Sequence, residues 1–309
     1  MIYLIFRKKR RGAILKRPMR QWRSLGTALL YLGPSLFIFS LFIFYPLIKS
    51  FRLSLHTTDL LGAEKQYVGF HQYVDIFTQG HFGQDLGVTL LFTAYTVIPG
   101  ILISLLLAYI ANWKLRGIGV FRTIFATPLV IAVASASLIW MMLFNPSAGV
   151  LNFFLQKIGL SSVNWLADPN WSLFSVSLVA VWRGLGFNTI VLLSGLQSVP
   201  EQLYESAKID GAGPARTFLD ITLPMLSPTL FFVFIVSVIN ALQAFGEINI
   251  LTQGGPAEAT TVIVYSIYRE AFFNFNFSFA SAQAIVLFLV IFLLTVLEFY
   301  VLEKKVFYR

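Results

Sequence analysis

The sequence contains no cysteine and little charge. Of its 309 residues, 12% are charged and 57% are hydrophobic, whereas a soluble domain carries about 25% charged residues. Without cysteine there can be no disulfide, thiolate metal site or cysteine nucleophile. The three histidines, His56, His71 and His81, lie in one segment without the spacing of metal ligands. We therefore expect an all-α polytopic membrane protein with no metal site.

Sequence motifs for catalysis and for energy supply are also missing. The chain has no G-x-x-x-x-G-K-[ST] phosphate loop. It has no H-E-x-x-H or G-x-S-x-G motif and no pair of intramembrane carboxylates. No inverted internal repeat of the kind found in secondary transporters is visible. We predict a protein that is not an enzyme, with no catalytic residue and no cofactor of its own, so that energy for transport comes from another chain.

Six apolar segments are long enough to cross a membrane. The first follows a tail that carries nine lysines and arginines and no acidic residue. It exceeds the apolar core of a signal peptide, so we expect an uncleaved helix. The six spans are predicted at about 26–48, 86–111, 121–144, 173–197, 222–246 and 280–302.

Charge asymmetry predicts how these spans are oriented. With the N-terminus inside, 17 of the 23 lysines and arginines fall on the cytoplasmic side and 5 on the outer side. The basic tail could instead bind nucleic acid, but its position beside a span favours a cytoplasmic flank, so no nucleic-acid partner is predicted. The predicted regions are a basic cytoplasmic tail (1–24), a first transmembrane helix with an outer loop (25–84), a core domain (85–303) and a cytoplasmic C-terminal tail (304–309).

The longest polar segment on the predicted cytoplasmic side is 198–224. Ser198 and Glu201 have the spacing of a capping box, and Pro200 lies where a helix would start. We expect a short helix that ends at Gly211. An ordinary helix between two membrane spans would show the same pattern, and that interpretation stays open.

The spacing within 198–224 resembles the EAA loop of binding-protein-dependent ABC import permeases. The family pattern is E-A-A, three residues, Gly, nine residues, Ile, one residue and Leu-Pro, and this chain departs from it at Ser206. In that family the loop docks in a groove of the cytoplasmic ATPase and transmits its closure. The positions that the resemblance assigns to coupling are Glu205, Ser206, Ala207, Asp210, Gly211, Ala212, Phe218, Leu223 and Pro224.

Two further segments extend the resemblance to the carbohydrate-type permeases. Residues 252–256 read Thr-Gln-Gly-Gly-Pro, like the TxGGP loop of that family, and residues 69–73 also match. The stretches 259–270 and 301–309 are similar to the first permease subunit of glycerol-3-phosphate importers. The resemblance implies a type I ABC importer permease fold in which the core domain holds the coupling loop, and a sugar, polyol or glycerol phosphate as solute.

The same resemblance implies a set of partners. These are a second permease subunit, two ATP-binding subunits that hold ATP and Mg, an extracytoplasmic solute-binding protein and the surrounding membrane lipid. It also implies a bacterial or archaeal inner membrane, with both termini in the cytoplasm. An autonomous secondary transporter or channel is the alternative.

Polar residues inside the predicted spans are candidates for the solute path. An arginine in a membrane span is costly unless it faces a polar interior, and Arg183 lies about 16 Å into the fourth span. Asn240, Gln243 and Glu247 would share one face of the fifth helix. Glu247 should then lie near the outer rim, and because its estimated depth differs from that of Arg183, an ion pair between the two is not favoured. The predicted solute-path residues are Arg183, Asn188, Asn240, Gln243 and Glu247. Hydrogen bonds between helices of the bundle would also explain why asparagine and glutamine side chains lie within these spans.

Overall fold

The computed structural model describes residues 18–78, 81–113, 115–303 and 306–307, with side chains from residue 27 onward. Most of the predicted tails, 1–24 and 304–309, therefore lies outside the described residues. The chain forms two compact units, 1–52 and 53–309.

The first unit is helical from Pro18 onward. Helix α1 (Pro18–Phe39) continues through a π-helical turn (Ser40–Phe44) into α2 (Tyr45–Leu53). Proline has no N–H to donate to the preceding turn, and Pro46 follows the π-helical turn after one residue, Tyr45. In that turn the N–H of Tyr45 donates to the carbonyl of Ser40, five residues back. The helix of residues 27–53 is long and apolar enough to span a membrane, as predicted for the first span.

The second unit begins with a small hairpin. Strands β1 (His56–Thr58) and β2 (Glu64–Tyr67) pair antiparallel, with His56 opposite Tyr67. In the turn, the Asp59 carboxylate accepts the N–H of Ala63 at 2.8 Å and lies 3.2 Å from Lys65 Nζ. The hydrogen bond from Ala63 is the main cause that holds the pKa of Asp59 below its ordinary value. The otherwise all-α expectation thus misses one two-stranded sheet.

Long helices form the remaining spans. They are α4 (Phe82–Ala111), α8 (Pro169–Gln197), the continuous helix Pro214–Leu242 and α14 (Phe277–Leu302). The third predicted span is instead two helices, α5 (Ile118–Val130) and α6 (Val133–Leu143), which meet at 105°. Pro128 lacks an N–H in the last turn of α5, and Ile131 is extended, with φ −82° and ψ 125°. The predicted third span at 121–144 is therefore a bent pair of helices, and the structure has six candidate spans when this pair is taken as one.

The continuous helix has three parts, α10 (Pro214–Thr217), a π-helical turn (Phe218–Thr222) and α11 (Leu223–Leu242). Helices α4, α8 and α11 pack together around buried apolar side chains. At Gly195 of α8, an added Cβ would lie 2.6 Å from Thr229 Oγ1 of α11. The missing side chain lets the two helices approach closely, as small residues do between membrane helices.

Short elements connect the spans. Helix α9 (Glu201–Ile209) precedes α10, and we call segment 198–224 the loop end of the bundle. The opposite, hairpin end comprises the hairpin, α3 (His71–Thr78), α7 (Val150–Lys157) and α13 (Ile263–Phe272). Helix α12 (Gly246–Leu251) follows α11 after a break of three residues.

Candidate functional site

A cavity of about 680 Å³ lies between α4, α8, α11 and α12. All five residues predicted for the solute path line it: Arg183, Asn188, Asn240, Gln243 and Glu247. They come from three separate elements, so the sequence spacing alone could not show that they meet. Because all five residues line one cavity, a solute path through this cavity can be tested by replacing them.

Arg183 and Glu247 form an ion pair in the wall of this cavity. The Glu247 side chain is 8% exposed and that of Arg183 is 28% exposed. The expectation that the two lie at different depths is therefore wrong. Glu247 belongs to α12 and not to the fifth span, so counting its depth along one helix was misleading.

The helix break that repositions Glu247 is built by tertiary contacts. Helix α11 ends at Leu242, and Phe245 leaves the helical conformation, with φ −141° and ψ −51°. The ring of Phe245 packs 4.9 Å from that of Tyr268 between centroids. Gly246 lies so close to Val133 of α6 that a Cβ would be 2.5 Å from its Cγ1. Asn240, Gln243 and Glu247 therefore do not share one helix face, contrary to the prediction.

Other polar and aromatic groups complete the cavity wall. The side-chain amide of Asn188 donates to Ser237 Oγ at 3.4 Å. Arg183 Nε is buried and makes no hydrogen bond to the described residues. Phe187 and Phe245 add aromatic surface. Sequence reasoning missed Ser237, although it precedes Asn240 by three residues on α11, a spacing that places both on one helix face.

At the loop end, α9 begins differently from the prediction. Pro200 occupies the N-cap position, and its side chain makes no capping hydrogen bond. The Ser198 hydroxyl instead donates to the carbonyl of Gly195 at 2.7 Å. The capping box predicted from Ser198 and Glu201 is therefore wrong, because Ser198 completes the last turn of the preceding helix.

The C-terminal end of α9 is a Schellman motif. Gly211 has φ +73°, and its N–H donates to the carbonyl of Lys208 at 3.2 Å. The N–H of Ala212 donates to the carbonyl of Ala207 at 2.9 Å. These two hydrogen bonds satisfy carbonyls that the helix itself leaves free. Glycine is favoured at this position because other residues are strained at positive φ.

The nine coupling candidates divide into an exposed set and a packed set. Glu205, Ser206, Asp210 and Gly211 are exposed; Ala207, Ala212, Phe218, Leu223 and Pro224 are buried or half-buried. Phe218 packs edge-on against Tyr109, with 5.3 Å between ring centroids. Sequence reasoning did not select Ile209, which is 87% exposed.

At the hairpin end, hydroxyl groups and one ion pair hold the Gly-Gly-Pro segment. The Thr252 and Thr260 hydroxyls are 2.7 Å apart, and the Thr261 hydroxyl donates to the carbonyl of Gly254 at 3.0 Å. Arg269 Nη1 of α13 lies 3.0 Å from Glu258 Oε1. Within the described ranges, no group of three His, Asp or Glu side chains is arranged to hold a metal ion.

Comparison with known proteins identifies the family. The model of the binding-protein-dependent transport system inner membrane component matches residues 100–308. The sn-glycerol-3-phosphate transport system permease protein UgpA of Yersinia pestis bv. Antiqua (strain Antiqua) is 35% identical over 277 residues, covering 89% of this chain and 94% of that protein. UgpA of Escherichia coli (strain UTI89 / UPEC) is 33% identical over 289 residues, covering 93% of this chain and 98% of that protein.

A solved structure shows the same fold. One chain of the bacterial alginate ABC transporter, solved in complex with an alginate pentasaccharide-bound periplasmic protein, superposes with a TM-score of 0.80. It is 26% identical, with 92% of this chain and 96% of that chain covered. The expected type I ABC importer permease fold is confirmed, and the alternative of an autonomous transporter or channel has no support. The chain belongs to the family of binding-protein-dependent inner membrane transport components and is a multi-pass permease of an ABC importer.

Proposed function

We propose that this chain forms part of the translocation path for a sugar, a polyol or a glycerol phosphate. The observation that carries the proposal is the cavity of about 680 Å³ with Arg183, Asn188, Asn240, Gln243 and Glu247 in its wall. The names of its relatives support the solute class, since they are glycerol-3-phosphate permeases and a permease of alginate, an acidic polysaccharide.

The cavity wall suits a solute rich in hydroxyl groups. The amides of Asn240 and Gln243 offer both donors and acceptors, and the walls of Phe187 and Phe245 offer apolar surface to sugar carbons. Arg183 offers a planar pair of donors for a phosphate. Because Glu247 already pairs with Arg183, an anionic solute has to compete with that carboxylate.

Transport is driven from the loop end. The chain has no phosphate loop, so ATP and Mg belong to two partner ATPase subunits, which dock against segment 198–224. The exposed Glu205, Asp210 and Ile209 are available for that contact. Closure of the ATPase pair moves α9, and the cavity then opens alternately to each side of the membrane. A second permease subunit completes the path, and an extracytoplasmic binding protein delivers the solute.

The test replaces the cavity amides and measures uptake. Asn240→Leu and Gln243→Leu should each reduce solute uptake by reconstituted complexes about tenfold, since each removes a hydrogen bond worth on the order of 1 kcal/mol and narrows the cavity. Asn249→Leu is the matched control, because Asn249 lies on α12 outside the cavity lining. Normal uptake by both cavity variants, in complexes with normal basal ATP hydrolysis, would refute the proposed path.

A further inference from the structure

The charged side chains of the central cavity cancel each other. Of the residues that line it, only Arg183 and Glu247 carry a charge, and they form an ion pair with each other. The other hydrogen-bonding groups of the wall are amides and hydroxyls, which are uncharged. They belong to Thr96, Asn188, Ser237, Asn240 and Gln243. Within the described part of the chain, the cavity wall therefore presents many donors and acceptors but no net charge.

The position of Glu247 makes its pairing with Arg183 hard to exchange. The Glu247 side chain is 8% exposed, and the preceding Gly246 lies against Val133, where a Cβ would be 2.5 Å from Cγ1. Among the described residues, no second cation lines the cavity. A solute anion that binds Arg183 in place of Glu247 would thus leave a buried carboxylate without a partner, which is strongly unfavourable.

A hydroxyl group meets no such obstacle. A guanidinium has five N–H donors, so a solute hydroxyl can accept a hydrogen bond from Arg183 while the ion pair with Glu247 stays in place. The amides of the wall can donate to further hydroxyls and accept from them. An uncharged solute thus uses the whole wall without separating the two charges.

We propose that Glu247 determines the specificity of this cavity, so that it accepts an uncharged, hydroxyl-rich solute, a sugar or a polyol, and disfavours a phosphate ester. The inference rests on the solute path proposed above and narrows its solute class. Glu247 acts through Arg183, because its carboxylate neutralises the guanidinium that would otherwise attract a phosphate. Relatives of this chain are named for the anionic solutes glycerol-3-phosphate and alginate, so this chain would differ from them in the charge of its solute.

The charge of the cavity can be measured with an introduced thiol. Ser237→Cys places a side chain of similar size in the cavity wall. The full complex with this change is treated separately with the anionic 2-sulfonatoethyl and the cationic 2-trimethylammonioethyl methanethiosulfonate, and mass spectrometry follows the modification of this chain. The ratio of the anionic to the cationic rate cancels differences in thiol reactivity. It is divided by the same ratio for Leu61→Cys, which is 93% exposed.

This normalised ratio should be close to one when Ser237→Cys is the only change. Glu247→Gln leaves Arg183 unpaired and should raise the ratio about tenfold, since an unpaired charge in a cavity wall shifts the local concentrations of the two reagents in opposite directions. Arg183→Met should lower it by a similar factor. The double variant with both changes should return the ratio to that of Ser237→Cys alone.

Inorganic phosphate tests the exclusion of an anionic ligand directly. The readout is the rate at which uncharged methyl methanethiosulfonate modifies Ser237→Cys, with chloride at equal ionic strength as the reference. Millimolar phosphate should leave this rate unchanged while Glu247 is present. It should slow the rate several-fold in Glu247→Gln, where the guanidinium of Arg183 is free to bind phosphate.

Two results would overturn the proposal even if Glu247→Gln does not fold. They are a normalised ratio far from one, or protection by phosphate, when Ser237→Cys is the only change. In a folded Glu247→Gln complex, an unchanged ratio or a lack of protection by phosphate would show that Glu247 does not control the charge of the cavity. Labelling does not depend on transport, so these results are independent of the uptake by Asn240→Leu and Gln243→Leu, which tests the path itself.

Discussion

Arg183 and Glu247 place two opposite charges in the wall of the central cavity. Taking two charges out of water is costly, and their attraction offsets that cost only while both are present. Removing one partner leaves an uncompensated charge, whereas removing both removes the cost as well. The two residues should therefore be strongly coupled in stability.

A double-mutant cycle tests this coupling. Glu247→Gln and Arg183→Met should each lower the free energy of unfolding by roughly 3 kcal/mol, and the double variant should lose less than the sum of the two. The measurement is the denaturation midpoint of the purified chain in detergent. The exposed pair of Arg216 and Asp220, with side chains 78% and 62% exposed, is the matched control, and Asp220→Asn should change stability by less than about 1 kcal/mol. Additive losses at Arg183 and Glu247 would contradict the coupling.

At the scale of the element, α9 depends on one backbone conformation. Gly211 and Gly213 both have open space where a Cβ would be placed, but only Gly211 has a positive φ. Gly211→Val should distort the end of α9, since a left-handed residue other than glycine costs about 1–2 kcal/mol and a β-branched one more. We expect this variant to lose most solute-stimulated ATP hydrolysis and uptake while the chain remains in the membrane.

Gly213→Ala serves as the control for that prediction. It adds a side chain two residues away at φ −70°, which alanine adopts without strain. This variant should retain most of the uptake of the parent. Full uptake by Gly211→Val would show that the conformation of the α9 terminus has no part in coupling.

The elements also show where sequence reasoning succeeds. Hydropathy located five of the six predicted spans as long apolar helices, because a continuous run of apolar residues is a local property of the chain. The end of α11 could not be predicted in this way. Gln243, Ala244 and Phe245 continue the apolar pattern, and the break depends on Phe245 packing against Tyr268 and on Gly246 against Val133. The same reason explains why the ion pair of Arg183 and Glu247 could not be predicted from their spacing in the sequence.

At the scale of the whole molecule, the distribution of charge predicts an orientation in the membrane. The predicted cytoplasmic segments hold most of the lysines and arginines. Because the chain has no cysteine of its own, a single introduced cysteine reports the accessibility of its position without labelling at any other thiol of the chain. Leu61, 93% exposed at the hairpin tip, and Ala215, exposed on α10, are suitable positions.

Labelling intact cells with a membrane-impermeant maleimide should modify Leu61→Cys and spare Ala215→Cys. Inverted membrane vesicles should give the reverse result. Labelling after solubilisation in detergent shows that both thiols can react. A cysteine at Ala215 that reacts in intact cells would reverse the orientation and remove segment 198–224 from the ATPase side.

The continuous helix from Pro214 to Leu242 joins the loop end directly to the cavity wall. From Pro214 at the loop end to Asn240 in the cavity wall it measures about 39 Å at 1.5 Å per residue. A tilt of about 5° around its Pro214 end displaces Asn240 by about 3 Å. Hydrogen bonds are lost when donor and acceptor separate by more than about 3.5 Å. If Asn240 contacts the proposed solute, a rotation of the whole helix through this small angle would make or release that contact without a relay of side chains between the two ends.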